Sequence, residues 1–507
     1  MITAGTLTWF AQHETRLVWR DWAWLLSGGR RRRGVTVVLG LLVFVAFMHV
    51  LAYLTLARAA IGFPPDKQLL VTVGGTLLLY WSLMLSQAME AVTRAFYARG
   101  DLDLILSSSA SAERLFAVRI GAMTLGIAGM SLALAAPAIN VLVWLQGGRW
   151  LAAYGVVLAL AMVAVAISLM LTFALFRMIG PKRTRLVAQI VAAVVGASFV
   201  IGVQIVAILT VGTMSRVVLF QSERIIGLAP HPGSLWWLPV DAAMGNWVSL
   251  TAVFAFGTIL LAGAIRFCAP RFGEVALAAN SIAAGRRTEK RALKFRPKSS
   301  GQALRSKEWV LLLRDPWLMS QSLMQLLYLL PPFFLLSRSF YGDGRGAALV
   351  VPVLIMAAGQ LAGGLAWLAI SGEDAPDLIA SAPVAAYRVW LAKVEAVAAA
   401  IGIVFGPLVV LLAVIDPVFA VAAAIGIAIA STSATAIQFW FRAQVKRSLF
   451  RRRHVSSRIA TFAEALCSIA WASAGALVTS NFRFAVVPGV MAVIVLTGAW
   501  VLSPKRA

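Results

Sequence analysis

Residues 150–176 read WLAAYGVVLALAMVAVAISLMLTFALF, a run without a single charged side chain. As a helix rising about 1.5 Å per residue, it exceeds the roughly 30 Å hydrocarbon core of a bilayer. A helix apolar on every face has to be buried, in a large core or in lipid. Working outward, comparable runs occur at about 35–57, 68–89, 120–145, 186–213 and 247–265. A second set follows at about 317–336, 346–370, 394–415, 417–440, 459–479 and 484–503. The expected fold is all-α, a polytopic membrane protein of about 12 transmembrane helices in two tandem six-helix halves.

Composition decides between a large core and lipid. Apolar residues make up 61% of the chain and charged residues 13%, whereas soluble domains are nearer one quarter charged. So few charges cannot cover a water-facing surface of 507 residues. Glu14, Arg16, Arg20 and Asp21 precede the first apolar run, which does not read as a cleavable signal. Two cysteines, Cys268 and Cys467, stand far apart without metal-ligand spacing.

The net charge is +25, and its distribution carries more information than its size. Counted on alternate sides of the spans, roughly 37 of the 45 Lys and Arg fall on one side. Such an asymmetry places both termini in the cytoplasm, and the expected location is a bacterial inner membrane. Basic charge is then a topology signal and an anchor beside anionic lipid, not a sign of nucleic acid.

Internal similarity organises the chain further. Glu14-Thr15-Arg16-Leu17-Val18-Trp19-Arg20-Asp21 recurs as Glu308-Trp309-Val310-Leu311-Leu312-Leu313-Arg314-Asp315. Each copy lies before the first span of its half and mixes Trp with charge, as a helix in the membrane interface does. Asp103-Leu104-Ile105-Leu106-Ser107-Ser108 recurs as Asp377-Leu378-Ile379-Ala380-Ser381-Ala382, with Arg114 against Arg388 and Arg119 against Lys393. The expected organisation is a first half over 1–265, a basic cytoplasmic linker over 266–306 and a second half over 307–507.

An interfacial helix, two spans and an acidic loop before the third span resemble the permease subunits of type-2 ABC exporters. The resemblance covers nearly the whole chain as a layout, and rests on residues 100–108 and 372–383. In that class the loop carries a coupling helix that docks on an ATP-hydrolysing subunit. It implies coupling residues Asp101, Asp103, Ser107, Glu373, Asp374, Asp377 and Ser381. It also implies two copies of a partner ATPase that bring ATP and Mg, none being held by this chain. Pro230-His231-Pro232-Gly233-Ser234-Leu235-Trp236-Trp237 looks like the outward re-entrant segment of that class, with Trp236 and Trp237 as external gate candidates. The second half departs from the pattern, keeping only 480–483 between its last two spans.

The residues themselves contribute a supporting argument and several exclusions. Asp and Ser accept bonds from unpaired N–H groups at helix starts, so the acidic loops suit short capped helices. No phosphate-binding Gly-x-x-x-x-Gly-Lys occurs, since Gly-Lys is absent from the chain. Leu26-Ser27-Gly28-Gly29-Arg30 resembles an ABC ATPase signature but has no nucleotide fold around it, and its glycines suit a helix end. His13, His49, His231 and His454 are scattered, and His49 reads as a satisfied packing histidine.

Polar groups within spans cost more than polar groups outside. A central acid costs about 2.5–3.5 kcal/mol on insertion scales, so Glu464 needs a partner, a wet cavity or the water at its cytoplasmic end. Asn140 and the span glutamines are expected to form interhelical hydrogen bonds. Gln321 and Gln325 share a helix face ahead of Pro331 and Pro332, which interrupt the backbone ladder. That broken span is the expected lining of a pathway between the halves, together with Glu464.

The leading function is the membrane subunit of an ATP-driven exporter, which performs no covalent chemistry. The alternative is a secondary transporter, because two parallel six-span repeats also occur there. The usual Gly-rich basic loop of that family is replaced here by Asp101, Asp103 and Glu113. A membrane-embedded lipid-modifying enzyme is the third class, and Glu223 and Asp241 are too isolated to make its acidic pair.

Overall fold

In the computed structural model, the described residues are 34–57, 66–97, 111–211, 219–281, 299–314, 345–371, 381–441, 458–480 and 482–503. Isolated positions at 12, 13, 16, 327, 329–331, 334, 373 and 379 are described as well. Among them there is helix and turn but no strand. The longer helices are α1 Gly34–Leu56, α2 Lys67–Tyr97, α3 Ala112–Gln146 and α4 Ala152–Val211. Two short ones follow, α5 Glu223–Leu228 and α6 Leu238–Ala243, then α7 Trp247–Ser281 and α8 Ser300–Arg314. The remainder are α9 Arg345–Ser371, α10 Ala386–Ile415, α11 Pro417–Phe441, α12 Arg458–Ser480 and α13 Phe482–Leu502.

Among the described residues, ten helical stretches are long and apolar enough to cross a bilayer. The chain is a multi-pass membrane protein. The run expected at 35–57 is helical as α1, of which Val45–Leu56 is an additional shorter apolar stretch. Most of 317–336 lies outside the described residues, as do Gln321, Gln325 and Pro332.

Local chemistry explains the ends and breaks. Ser111 caps α3 by accepting from the Arg114 N–H, with Glu113 in the first turn beside the positive helix end. Gly147, at φ 97°, ends it and turns the chain through a 3₁₀ turn at Gly148–Leu151 into α4. α4 is two spans in one: Gly180 adopts φ 71°, a left-handed conformation that glycine accepts without steric cost. The stretches Gly148–Gly180 and Ile190–Ile208 on either side are each apolar enough to cross.

The chain divides into two compact units. One comprises Met1–Val203 with Ser215–Thr288, the other Gln204–Met214 with Glu289–Ala507. In the first, Met84, Ala88 and Val92 of α2 pack with Phe116 and Ile120 of α3, Ala161 and Val165 of α4, and Cys268 of α7. In the second, α9 is central: 72% of its apolar window is buried, against 17% for α10 and for α13. Glycines set that packing. A Cβ at Gly426 or Gly475 would fall 2.3 Å from the Ile355 Cδ1, so α11 and α12 approach α9 only because those positions are bare.

Candidate functional site

The most concentrated charge among the described residues joins α8, the end of α9 and the start of α10. On α8, Glu308 and Leu312 lie four apart on one face, and Arg305 and Trp309 form the neighbouring stripe. The Glu308 side chain is almost fully buried, and its carboxylate accepts from the Lys393 ammonium at 3.0 and 3.1 Å. Lys393 lies on the buried side of α10, 5% exposed. It also donates to the Ala369 carbonyl, in the last turn of α9. The last four carbonyls of a helix lack intrahelical partners, and a cation there meets the negative helix end. Lys393 thus caps α9 while neutralising Glu308.

Glu373, just beyond α9, completes the cluster. It pairs with Lys307 of α8 and lies 3.8 Å from Lys393. Lys307 reaches Glu308 as well, at 3.3 Å. Two acids and two bases balance, so ions that would each be costly to desolvate alone are held as a neutral group. Beside them, Arg305 grips Glu395 of α10 with two prongs, at 2.5 and 3.0 Å. Those bonds and the carboxylate charge push the Arg305 guanidinium above its ordinary pKa.

Of the seven expected coupling residues, only Glu373 and Ser381 can be placed. Asp101, Asp103, Ser107, Asp374 and Asp377 lie outside the described residues. Ser381 is exposed in the turn that leads into α10. Glu308, Lys393, Lys307 and Glu395 were not anticipated as site residues.

At the N-terminal end of α2, the 219–246 segment folds back onto the helix. Trp237 is buried among Leu70, Val71, Phe220 and Val240, and its indole N–H donates to the His231 carbonyl at 3.1 Å. Gly74 and Gly75 make room: a Cβ at Gly75 would fall 2.6 Å from the Phe220 ring. Trp236, the other gate candidate, is 80% exposed. Burial pushes the Asp241 carboxyl in α6 up from its ordinary pKa. The two tryptophans therefore differ: one pins the segment and the other projects from it.

Two polar groupings lie within the spans. His49 of α1 has its Nδ1 2.8 Å from the Val45 carbonyl, which can only accept, so Nδ1 carries the proton. Its Nε2 then accepts from the Asn140 amide of α3 at 3.2 Å, and the Tyr154 hydroxyl of α4 donates to the Asn140 carbonyl at 2.6 Å. His49 is hydrogen-bonded at both nitrogens, and Asn140 makes interhelical bonds. In the second unit, Glu464 of α12 is buried and accepts from the Gln438 amide of α11. Its carboxylate lies against Gly363 of α9, where a Cβ would come within 2.1 Å of Oε1. Pro331 is buried.

Among the described residues no cluster of His, Cys, Asp or Glu could hold a metal ion. Compared with protein-family models, with curated proteins and with solved structures, the chain matches none.

Proposed function

We propose that the chain is the membrane-spanning permease subunit of a type-2 ATP-binding-cassette exporter. It forms the substrate pathway in an inner membrane, with both termini cytoplasmic, and couples through its cytoplasmic loops to a separate ATPase. One observation carries this reading: Glu373 of the acidic loop is tied by ion pairs to α8 and through Lys393 to α10. A coupling element must transmit force, and Glu373, held to two helices by balanced charge, gives it a firm root. In this scheme two ATPase copies dock on the loops around Asp101, Asp103 and Ser107, and around Asp374, Asp377 and Ser381. ATP and Mg stay on the partner. ATP favours one arrangement of the loops over another, and that differential affinity shifts the bundle between inward- and outward-open states.

Co-purification with a stand-alone ABC ATPase encoded beside this chain tests the scheme. The assembly forms with the unchanged chain and is lost when Asp103→Arg and Asp377→Arg are combined. Assembly that survives both changes removes the docking assignment. The buried acid Glu464 favours a second reading, an ion-coupled transporter. Uptake or efflux by the purified chain in vesicles, driven by an ion gradient without nucleotide, would replace the first reading with that one.

A further inference from the structure

A cavity of about 250 Å³ lies between α8 and α10, lined by Arg305, Trp309, Ala392, Glu395, Ala396 and Ala399. It far exceeds the roughly 10–15 Å³ that holds one water. Three alanines spaced along one face of α10 leave the gap, since any larger side chain there would close it. Its floor is therefore apolar, and its rim is the Arg305–Glu395 pair.

The sequence of α10 fixes the depth of this slot. Glu395 is the last charged residue before Ala396–Ile415, about 20 apolar residues that match the roughly 30 Å of a hydrocarbon core. The ion pair therefore stands where headgroups begin and the alanines where acyl chains begin, with Trp309 at the level tryptophans favour. Val310 on α8 and Leu391 and Val394 on α10 are exposed, as lipid-facing positions are.

We propose that this slot is a binding site for a zwitterionic phospholipid with a primary ammonium head, phosphatidylethanolamine. Its phosphate meets Arg305, its ammonium meets Glu395, and the first part of one chain lies over Ala396 and Ala399 against Trp309. The charges favour this head over others. Arg305 spends Nε and one Nη on Glu395 and keeps further N–H donors for a phosphate. Glu395, partly exposed, can accept from an ammonium that carries N–H groups, whereas a trimethylammonium head offers none. An anionic glycerol head would add a net negative charge to an Arg305–Glu395 pair that is already neutral, with no ammonium of its own to offset it. The site rests on the membrane reading of α10 and stands whether or not the chain is an exporter.

Native mass spectrometry of the purified full-length chain tests this, with equal amounts of dioleoyl phosphatidylethanolamine, phosphatidylcholine and phosphatidylglycerol. Phosphatidylethanolamine should be retained about tenfold over phosphatidylcholine, the ratio one charge-assisted hydrogen bond gives. Glu395→Gln should bring the two together. Ala399→Phe, at an exposed position, should remove retention of both, while Leu391→Phe leaves it unchanged. Thermal unfolding of each variant identifies any that has failed to fold, and Arg305→Lys then serves instead, losing the fork and most of the retention. Equal retention of phosphatidylglycerol by the unchanged chain overturns the head assignment. Undiminished retention in folded Ala399→Phe overturns the site.

Discussion

Among the described residues, polar side chains join three helices through ions in one place and through neutral groups in another. Glu308, Lys393 and Glu373 link α8, α9 and α10 by ion pairs, and His49, Asn140 and Tyr154 link α1, α3 and α4 by hydrogen bonds alone. The difference follows depth. Lys393 lies just before the charge-free run of α10, where Glu308, Glu373 and the Ala369 carbonyl offset the cost of burying an ion. His49 lies within α1, and there the link is a chain of hydrogen bonds: Nδ1 donates to the Val45 carbonyl, Nε2 accepts from Asn140, and Asn140 bridges to Tyr154. Ions are stronger links but must be matched one for one, whereas neutral links are weaker and more forgiving of loss.

The largest effect should therefore come from unbalancing the ions. Glu308→Ala leaves Lys393 buried with only its longer, 3.8 Å ion pair to Glu373, and breaking a buried pair from one side costs about 3–5 kcal/mol. Chemical denaturation in detergent micelles would read this as a large fall in the midpoint. Replacing both partners, Glu308→Leu with Lys393→Met, should recover most of the loss, because the unpaired charge is what costs. Failure of the double variant to recover would assign the loss to packing rather than to charge.

Glu464 is the intermediate case, an acid within a span that accepts from an amide. Its position depends on a bare backbone, so Gly363→Ala should force the carboxylate out of its notch. Overpacking of this kind costs about 1–3 kcal/mol. Adding Glu464→Ala should relieve most of it, and the coupling energy from the double-mutant cycle measures how firmly the carboxylate is held. Independent, additive effects would mean that the side chain swings aside freely, and that α9 and α12 are not locked at this point.

How much of this was legible in the sequence depends on distance along the chain. The runs that became α2, α3, α7 and α9 to α13 were readable, because twenty apolar residues state their own solvent. The two spans of α4 were readable as well, as the runs at about 150–176 and 186–213, and the non-helical Gly180 divides them. Glu373 was singled out for its loop, yet its partners were not, because Lys393 and Glu308 stand 85 positions apart and pairing leaves no local periodicity. A signal existed all the same. Charge recurs at matching positions of the expected sequence repeat, Glu14 with Glu308 and Arg119 with Lys393. Arg119 is buried like Lys393, and a cation kept twice on an apolar helix points to a buried acid. The cavity beside Trp309 left no such trace, because alanine is common in most of the apolar runs.

The smallest effect should belong to the neutral chain. Asn140→Leu removes the bridge, leaving the Tyr154 hydroxyl without its acceptor and His49 Nε2 without its donor. Interhelical hydrogen bonds in membranes average about 0.6 kcal/mol and reach about 1.7, because groups released in the membrane find other partners. The same denaturation measurement should therefore show a shift several-fold smaller than that of Glu308→Ala. Tyr154→Phe should cost less again, since it leaves His49 and Asn140 joined. A loss for Asn140→Leu as large as the ionic one would mean that the neutral chain is a principal support of the first unit, and that depth alone does not rank these links.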